Sequence, residues 1–323
     1  MIETDVLIVG GGPAGSACAW RLKQHHIECV ILDQENFPRF KPCAGWITPE
    51  VVNDLGLKEA SYPYSFTTFT SLRVNINGFQ VRLPTRQHAI RRLEFDDWLL
   101  QRSGSLFYRH PVKTIHEENG FYHIDDLFRA RYLIGAGGTY CPVNRTLFAR
   151  SNPRARETLI AAQEEEFPYE PSQKDCWLWF WKDLPGYAWY VPKAKGYVNV
   201  GVGALAERMQ RNHTHVKAHW ERLLEHLDRQ SLVQNHHYRP SAHTYYLRQR
   251  TPAARIGNAF VIGDAAGIAT LDMGEGIGPA IQSGMRAADA IANGSPFTME
   301  GIHPYSQGPL LGRAVQWLLR LNT

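Results

Sequence analysis

Three things are scarce in this 323-residue chain: long apolar runs, cysteine and net charge. No stretch approaches the ~18 consecutive apolar residues that a transmembrane helix requires, so a membrane-spanning protein is not expected. The five cysteines, Cys18, Cys29, Cys43, Cys141 and Cys176, are an odd number with no CxxC pair. That speaks against a disulfide framework and against a zinc or iron–sulfur site, and no metal is expected. Against 35 basic residues stand 31 acidic ones, leaving a net charge of +4, too small a surplus for a nucleic-acid surface. The N-terminus has no basic stretch ahead of its first apolar segment, so a secretory signal is not expected and the cytoplasm is the default location. Internal repeats and low-complexity tracts are missing too.

What is present organises itself around Asp5 to Asp33. Val6 to Val9 form a short apolar run suited to a strand covered on both faces. Gly10, Gly12 and Gly15 follow at once, with Pro13 and Ala14 opening a helix. Such a glycine turn bends tightly, lets a pyrophosphate approach the backbone and leaves helix N-terminal amides aimed at it. A second apolar strand, Cys29 to Leu32, delivers Asp33 eighteen residues after Gly15, where a carboxylate suits an adenosine ribose.

Further along, Phe37 to Trp46 is a proline-rich, basic loop containing Arg39, Lys41, Cys43 and Ala44. Residues 47 to 60 predict a helix with Thr48 as N-cap and Pro49 at its first position. Residues 66 to 84 alternate as strands around an Asn77-Gly78 turn, and Arg91 to Leu100 reads as a helix. Tyr132 to Gly138 is an apolar strand running into glycines. From about Arg150 to Pro252 aromatics accumulate in strand-like runs, with one amphipathic helix expected over 206 to 228. The alternation Trp177-x-Trp179-x-Trp181 puts three indoles on one strand face, suited to an apolar substrate wall or to an ordinary core. Ala259 to Gly267 is again strand into glycine turn, and 274 to 293 predicts a long helix. His213, His215 and His219 are expected on a solvated helix face. Leu310 to Leu321, with Arg313 and Arg320 on its polar side, is expected to pack on the body or to rest on a membrane surface.

These motifs together resemble the flavoprotein fold of the p-hydroxybenzoate hydroxylase type: Gly10-x-Gly12-x-x-Gly15, Arg92-x-x-Phe95-Asp96 and Gly263-Asp264-Ala265-Ala266-Gly267. Within it, Lys41-Pro42-Cys43-Ala44-Gly45, Tyr187 to Pro192, Asn199-Val200-Gly201-Val202-Gly203 and Gly274-Glu275-Gly276-Ile277 are most similar to the geranylgeranyl reductase branch. The resemblance implies a mixed α/β, Rossmann-like FAD-binding fold. Its FAD domain would comprise residues 1–60, 85–160 and 250–295, interleaved with a β-rich substrate domain at 61–84 and 161–249 and followed by a helical tail at 296–323.

It also implies roles. Gly10, Gly12, Pro13, Ala14, Gly15 and Asp33 would hold the ADP half of FAD, with Arg92 on the flavin side of the pyrophosphate and Arg39 among the cofactor-binding residues. Ala44, Gly137, Gly263, Asp264, Gly274, Gly276 and Ile277 would meet the rest of the cofactor. Cys43, from a loop that approaches the flavin, would touch the cofactor and serve in catalysis. Tyr187 and Trp189 would line the catalytic cavity. The implied reaction is reduction of carbon–carbon double bonds in a polyprenyl or other apolar substrate. The electron donor stays open between NAD(P)H and a reduced redox protein. A flavin monooxygenase or halogenase acting on an aromatic or peptidyl substrate, and an electron-transfer or escort flavoprotein, are the alternatives. Two departures bear on these: Gly137 stands where the hydroxylases carry aspartate, and Tyr187 and Val191 replace halogenase Trp and Ile. The chain also ends about thirty residues after the long helix, which implies a reduced C-terminal wall to the cavity.

Overall fold

The computed structural model describes residues 1–171, 173–249 and 253–321, apart from the side chains of residues 318, 320 and 321. The expected change of character at Pro252 and the side chain of Arg320 therefore lie outside the described residues. Two sheets carry the fold, each with eight strands among the described residues.

The first sheet is built on five parallel strands in the order Ala259–Val261, Phe128–Gly135, Ile2–Val9, Cys29–Asp33 and Leu106–Arg109. Val6, Leu7 and Ile8 are fully buried, as a strand covered on both faces requires. The helices Pro13–Gln24 and Ile277–Asn293 pack against each other over this sheet. The expected long helix thus starts at Ile277, with Gly276 as its N-cap.

The second sheet runs Ser241–Tyr246, Leu159–Pro168, Tyr197–Leu205, Gly186–Lys193, Cys176–Phe180, Phe66–Ile76, Phe79–Ile90 and Trp46–Ile47. All its neighbours are antiparallel except Cys176–Phe180 with Phe66–Ile76. The hairpin from the early part of the chain thereby joins strands formed a hundred residues later. It turns at Asn77-Gly78, both at positive φ, and its second strand continues past residue 84 to Ile90. The strand Leu159–Pro168 likewise begins ahead of residue 161.

Three local expectations are corrected. The helix expected over 47–60 is only Pro49–Asp54. Leu55 and Leu57 both turn into the core beside Val51, which a continuing helix would not permit, and Thr48 makes no side-chain cap bond. The helix expected over 206–228 is two, Ala206–Arg211 and Val216–Arg229. They are separated where His213 takes a positive φ and His215 caps the second helix by accepting the Ala218 amide. His213 and His215 are exposed, but His219 is buried and contacts Thr214 Oγ1 at 3.1 Å, so it does not share their solvated face.

Sheet alternation settles the indoles. Trp177, Trp179 and Trp181 face away from the first sheet, into a core with Trp220, Leu223 and Leu227 of the helix Val216–Arg229. Leu178 and Phe180 take the opposite face with Trp189, Val191 and Met273.

Candidate functional site

Between the sheets lies a cavity of about 1200 Å³, larger than the roughly 300–1,000 Å³ that drug-sized ligands occupy. One end is built of backbone. The chain leaves Ile2–Val9 through Gly10 at φ +117°, and a Cβ there would lie 2.3 Å from the Ala136 carbonyl oxygen. A Cβ on Gly15 would lie 1.9 Å from the Gly10 oxygen. The loop therefore closes only with glycine at both positions. Asp33 locks it: Oδ2 accepts the Gly11 amide at 2.8 Å and Oδ1 accepts the Glu35 amide at 3.0 Å.

The same end is basic. Arg92, far from being a solvated helix charge, is buried and donates to both carboxylate oxygens of buried Asp96 at 2.7 Å. Arg39 Nη2 stands 3.5 Å from the same carboxylate and 3.2 Å from where a Gly12 Cβ would be. Two guanidinium groups thus converge beside the glycine loop on one neutralising acid.

Gly12, Pro13, Ala14, Asp33, Arg39, Cys43, Ala44, Arg92, Gly137, Asp264, Gly274, Gly276, Ile277, Tyr187 and Trp189, all expected at the site, line this cavity together with Gly10. Gly15 and Gly263 sit behind its wall. A Cβ on Gly263 would come within 2.9 Å of the Ala14 Cβ, so these two shape the turn and do not line the cavity.

At the other end the wall is made of side chains. Tyr187 donates its hydroxyl to the Met273 carbonyl, and burial pushes that phenol far up, so it stays neutral. Trp189 donates from Nε1 to Asn199 Oδ1 at 2.6 Å. Its indole lies across Gly201, where a Cβ would be 2.2 Å from the ring; this close approach explains glycine in the Asn199-Val200-Gly201 run. The Cys43 thiol accepts the Gly45 amide at 3.3 Å. Burial raises its pKa, with the nearby Arg92 charge acting the other way, so the group is a thiol at neutral pH.

Four polar residues at this end were not expected from the sequence. Glu164 is buried, and its Oε2 accepts from Asn199 Nδ2 at 3.0 Å. Burial pushes its carboxyl up to about 7, against the Asn199 hydrogen bond and the Lys193 and Lys41 charges. His243 faces it, Nδ1 to Oε1 at 3.5 Å, and is pushed down to about 4 by burial and then by Lys41 and Arg92. Glu275 is pushed up to about 8 by burial, even though its Oε1 accepts the Gly278 amide. The Tyr245 phenol is also buried there and pushed up. One signal lay in the sequence: Glu164 continues the inward alternation of Ile160 and Ala162, placing an acid on an apolar face. His243 and Tyr245 gave none, since only sheet pairing brings Ser241–Tyr246 beside Leu159–Pro168.

A glycine cradle, paired arginines and an acid-locked loop at the end of a parallel sheet, facing an aromatic chamber on a second sheet, define a two-sheet dinucleotide-binding oxidoreductase. Residues 8–81 match the model of the NAD(P)-binding Rossmann-like domain. An uncharacterized protein of Methanosarcina barkeri is 32% identical over 314 residues, 91% of this chain and 76% of that protein. The menaquinone reductase of Mycobacterium tuberculosis is 29% identical over 231 residues, 63% of this chain and 56% of that protein. Digeranylgeranylglycerophospholipid reductase 2 of Methanosphaera stadtmanae is 25% identical over 324 residues, covering 91% and 80%. Among solved structures, a geranylgeranyl bacteriochlorophyll reductase-like protein of Thermoplasma acidophilum superimposes with a TM-score of 0.79 at 22% identity, covering 94% of this chain and 82% of that one. The chain belongs to the geranylgeranyl reductase family of FAD-dependent oxidoreductases. No helix among the described residues is long and apolar enough to cross a membrane.

Proposed function

We propose that this chain reduces carbon–carbon double bonds of a polyprenyl or similarly apolar substrate, with FAD held along the cavity. The carrying observation is the continuity of that cavity from the glycine loop and Arg39 to the aromatic chamber of Tyr187 and Trp189. The residues present fit FAD. A cradle that a Cβ at Gly10 or Gly15 would fill suits a pyrophosphate brought close to backbone, and Arg39 and Arg92 neutralise it. Asp33 retains lone pairs for ribose hydroxyls after accepting two amides. The start of the helix Ile277–Asn293, with Gly274 and Gly276, suits the flavin end.

When bound and reduced, the cofactor supplies hydride. This chain's residues supply the rest. Tyr187, Trp189, Leu178 and Val191 exclude water and hold an apolar chain against the cavity wall. Cys43, a thiol at neutral pH, is a proton-bearing group in the loop beside Arg92. The exposed Leu310, Leu311 and Trp317 of the terminal helix support peripheral membrane contact, which suits a lipid substrate.

The test is anaerobic. Purified protein is reduced with dithionite, and geranylgeranyl diphosphate, a geranylgeranylated lipid or menaquinone is added while flavin absorbance is followed. The reading expects reoxidation with a mass gain of two hydrogens per double bond. Flavin that stays reduced until air is admitted would overturn it and bring oxygen chemistry forward. Parallel reduction by NAD(P)H and by a reduced redox protein identifies the donor.

A further inference from the structure

Glu164 and His243 come from neighbouring strands, Leu159–Pro168 and Ser241–Tyr246, and both line the cavity. Glu164 Oε1 and His243 Nδ1 face each other at 3.5 Å, and neither has a hydrogen-bond partner among the described residues. Two orphaned polar atoms, buried and pointing at one another, are costly unless something passes between them. The gap is roughly half an ångström longer than an ordinary N···O hydrogen bond, so a small side-chain adjustment closes it.

We propose that Glu164 and His243 form the proton-holding pair of the chamber: the Glu164 carboxyl carries a proton on Oε1, donates it to neutral His243 Nδ1 at rest, and gives it to substrate. This inference rests on the reductase reading for its substrate. The proton leaves Oε1 for one carbon of the double bond, whose π electrons form the new C–H bond; the other carbon receives hydride from the reduced flavin. The carboxylate left behind is stabilised by Asn199 Nδ2 at 3.0 Å and by the charges of Lys193 and Lys41.

The surroundings explain why these two groups behave unlike their neighbours. Glu166, two residues along, is ion-paired with Lys193 Nζ at 2.5 Å and Arg91 Nε at 2.8 Å and is held ionised. Those cations pair directly with Glu166, so they act on Glu164 only through space, and its direct neighbours are an uncharged amide and an imidazole. Arg92 and Lys41 disfavour a second positive charge on His243, which keeps the ring an acceptor. Refilling has a path on either side. His243 is 17% exposed while Glu164 is 1% exposed, and a small cavity of about 60 Å³ behind the Lys41–Cys43 loop touches Glu164, Glu166 and Asn199, polar enough and large enough for water.

The test reads the proton directly and does not depend on turnover. Infrared pH titration of the FAD-loaded protein from about pH 5 to about pH 9 should show two buried carboxyls losing their protons, Glu164 near 7 and Glu275 near 8, with His243, followed by NMR of ring-labelled histidine, neutral throughout. Glu164→Gln should abolish the band that titrates near 7 and leave the Glu275 band. Lys41→Met, which removes a charge while keeping chain length, should move the Glu164 midpoint upward. A wild-type Glu164 already ionised at the bottom of this range, or a band titrating near 7 that survives Glu164→Gln, would overturn the proposal. In the reductase assay, Glu164→Gln should lower kcat by roughly 10²-fold or more with KM retained; an unchanged kcat overturns the donor role. Failure of the wild type to reduce any polyprenyl probe would instead sink the substrate reading and leave the infrared result standing.

Discussion

The two ends of the cavity are walled by different materials. At the first-sheet end, backbone does the work: Gly10, Gly12 and the start of the helix Pro13–Gln24 present amides, and charge enters through Arg39 and Arg92 on one shared acid, Asp96. At the second-sheet end, the wall is Tyr187, Trp189 and Glu164, each hydrogen-bonded to another strand or loop, with His243 facing Glu164. A backbone site tolerates little change in shape but suits any ligand with a pyrophosphate. A side-chain site is easily altered and determines which substrate enters and where a proton is kept. Alterations at the first end should therefore cost stability and flavin together, and alterations at the second should spare flavin.

The largest expected effect is at Arg92. Arg92→Ala leaves Asp96, fully buried, with only the more distant Arg39, and should cost about 3–5 kcal/mol in denaturant unfolding, with flavin lost on gel filtration. Gly15→Ala comes next. Its Cβ meets the Gly10 carbonyl, so about 1–3 kcal/mol and a clear drop in flavin content at purification are expected. Full flavin occupancy in this variant would break the contrast between the two ends.

Tyr187→Phe tests the second end. It removes the hydroxyl bonded to the Met273 carbonyl and should cost about 1 kcal/mol while flavin content stays at the wild-type level. Flavin loss here would mean that the chamber also holds the cofactor in place.

The last effect is a pH slope, spread over several pH units and carried by no single variant. Glu164 and Glu275 hold protons up to about 7 and about 8 when folded, whereas an ordinary glutamate titrates at about 4.3. The unfolded chain therefore binds fewer protons over the intervening range, and stability falls as pH rises through it. The stabilisation is fully present below the unfolded value and is lost as pH passes the folded ones. Tm should decline across that window, and Glu164→Gln with Glu275→Gln should flatten the decline. An equal slope in the double variant would assign it to other groups.

Much of the first end was legible because its signals are local. A strand, a glycine turn, a helix and a second strand ending on Asp33 are consecutive, and Gly10 and Gly15 are required by contacts with the adjacent strand and within their own turn. The Asn77-Gly78 hairpin and the helix over Arg92–Ser103 were legible for the same reason. Where the reading of the sequence erred, a distant contact decided. Leu55 and Leu57 end a short helix by entering the core, and His219 is buried although its neighbours His213 and His215 are exposed. The three indoles, which the sequence left open between a cavity wall and a core, cover a helix, and Leu178 of the same strand lines the cavity.

By itself the sequence determined the period of each strand, the glycine cradle and the acid that locks it, because turn geometry and backbone approach depend on residues a few positions apart. Only the tertiary structure decided what sits opposite what. Arg92 became a buried partner of Asp96 when its helix packed, and Glu164 met His243, Asn199 and Lys193 when four strands aligned. Burial, which raises one carboxyl and lowers one imidazole, is a property of that assembled environment and is written at no single position in the chain.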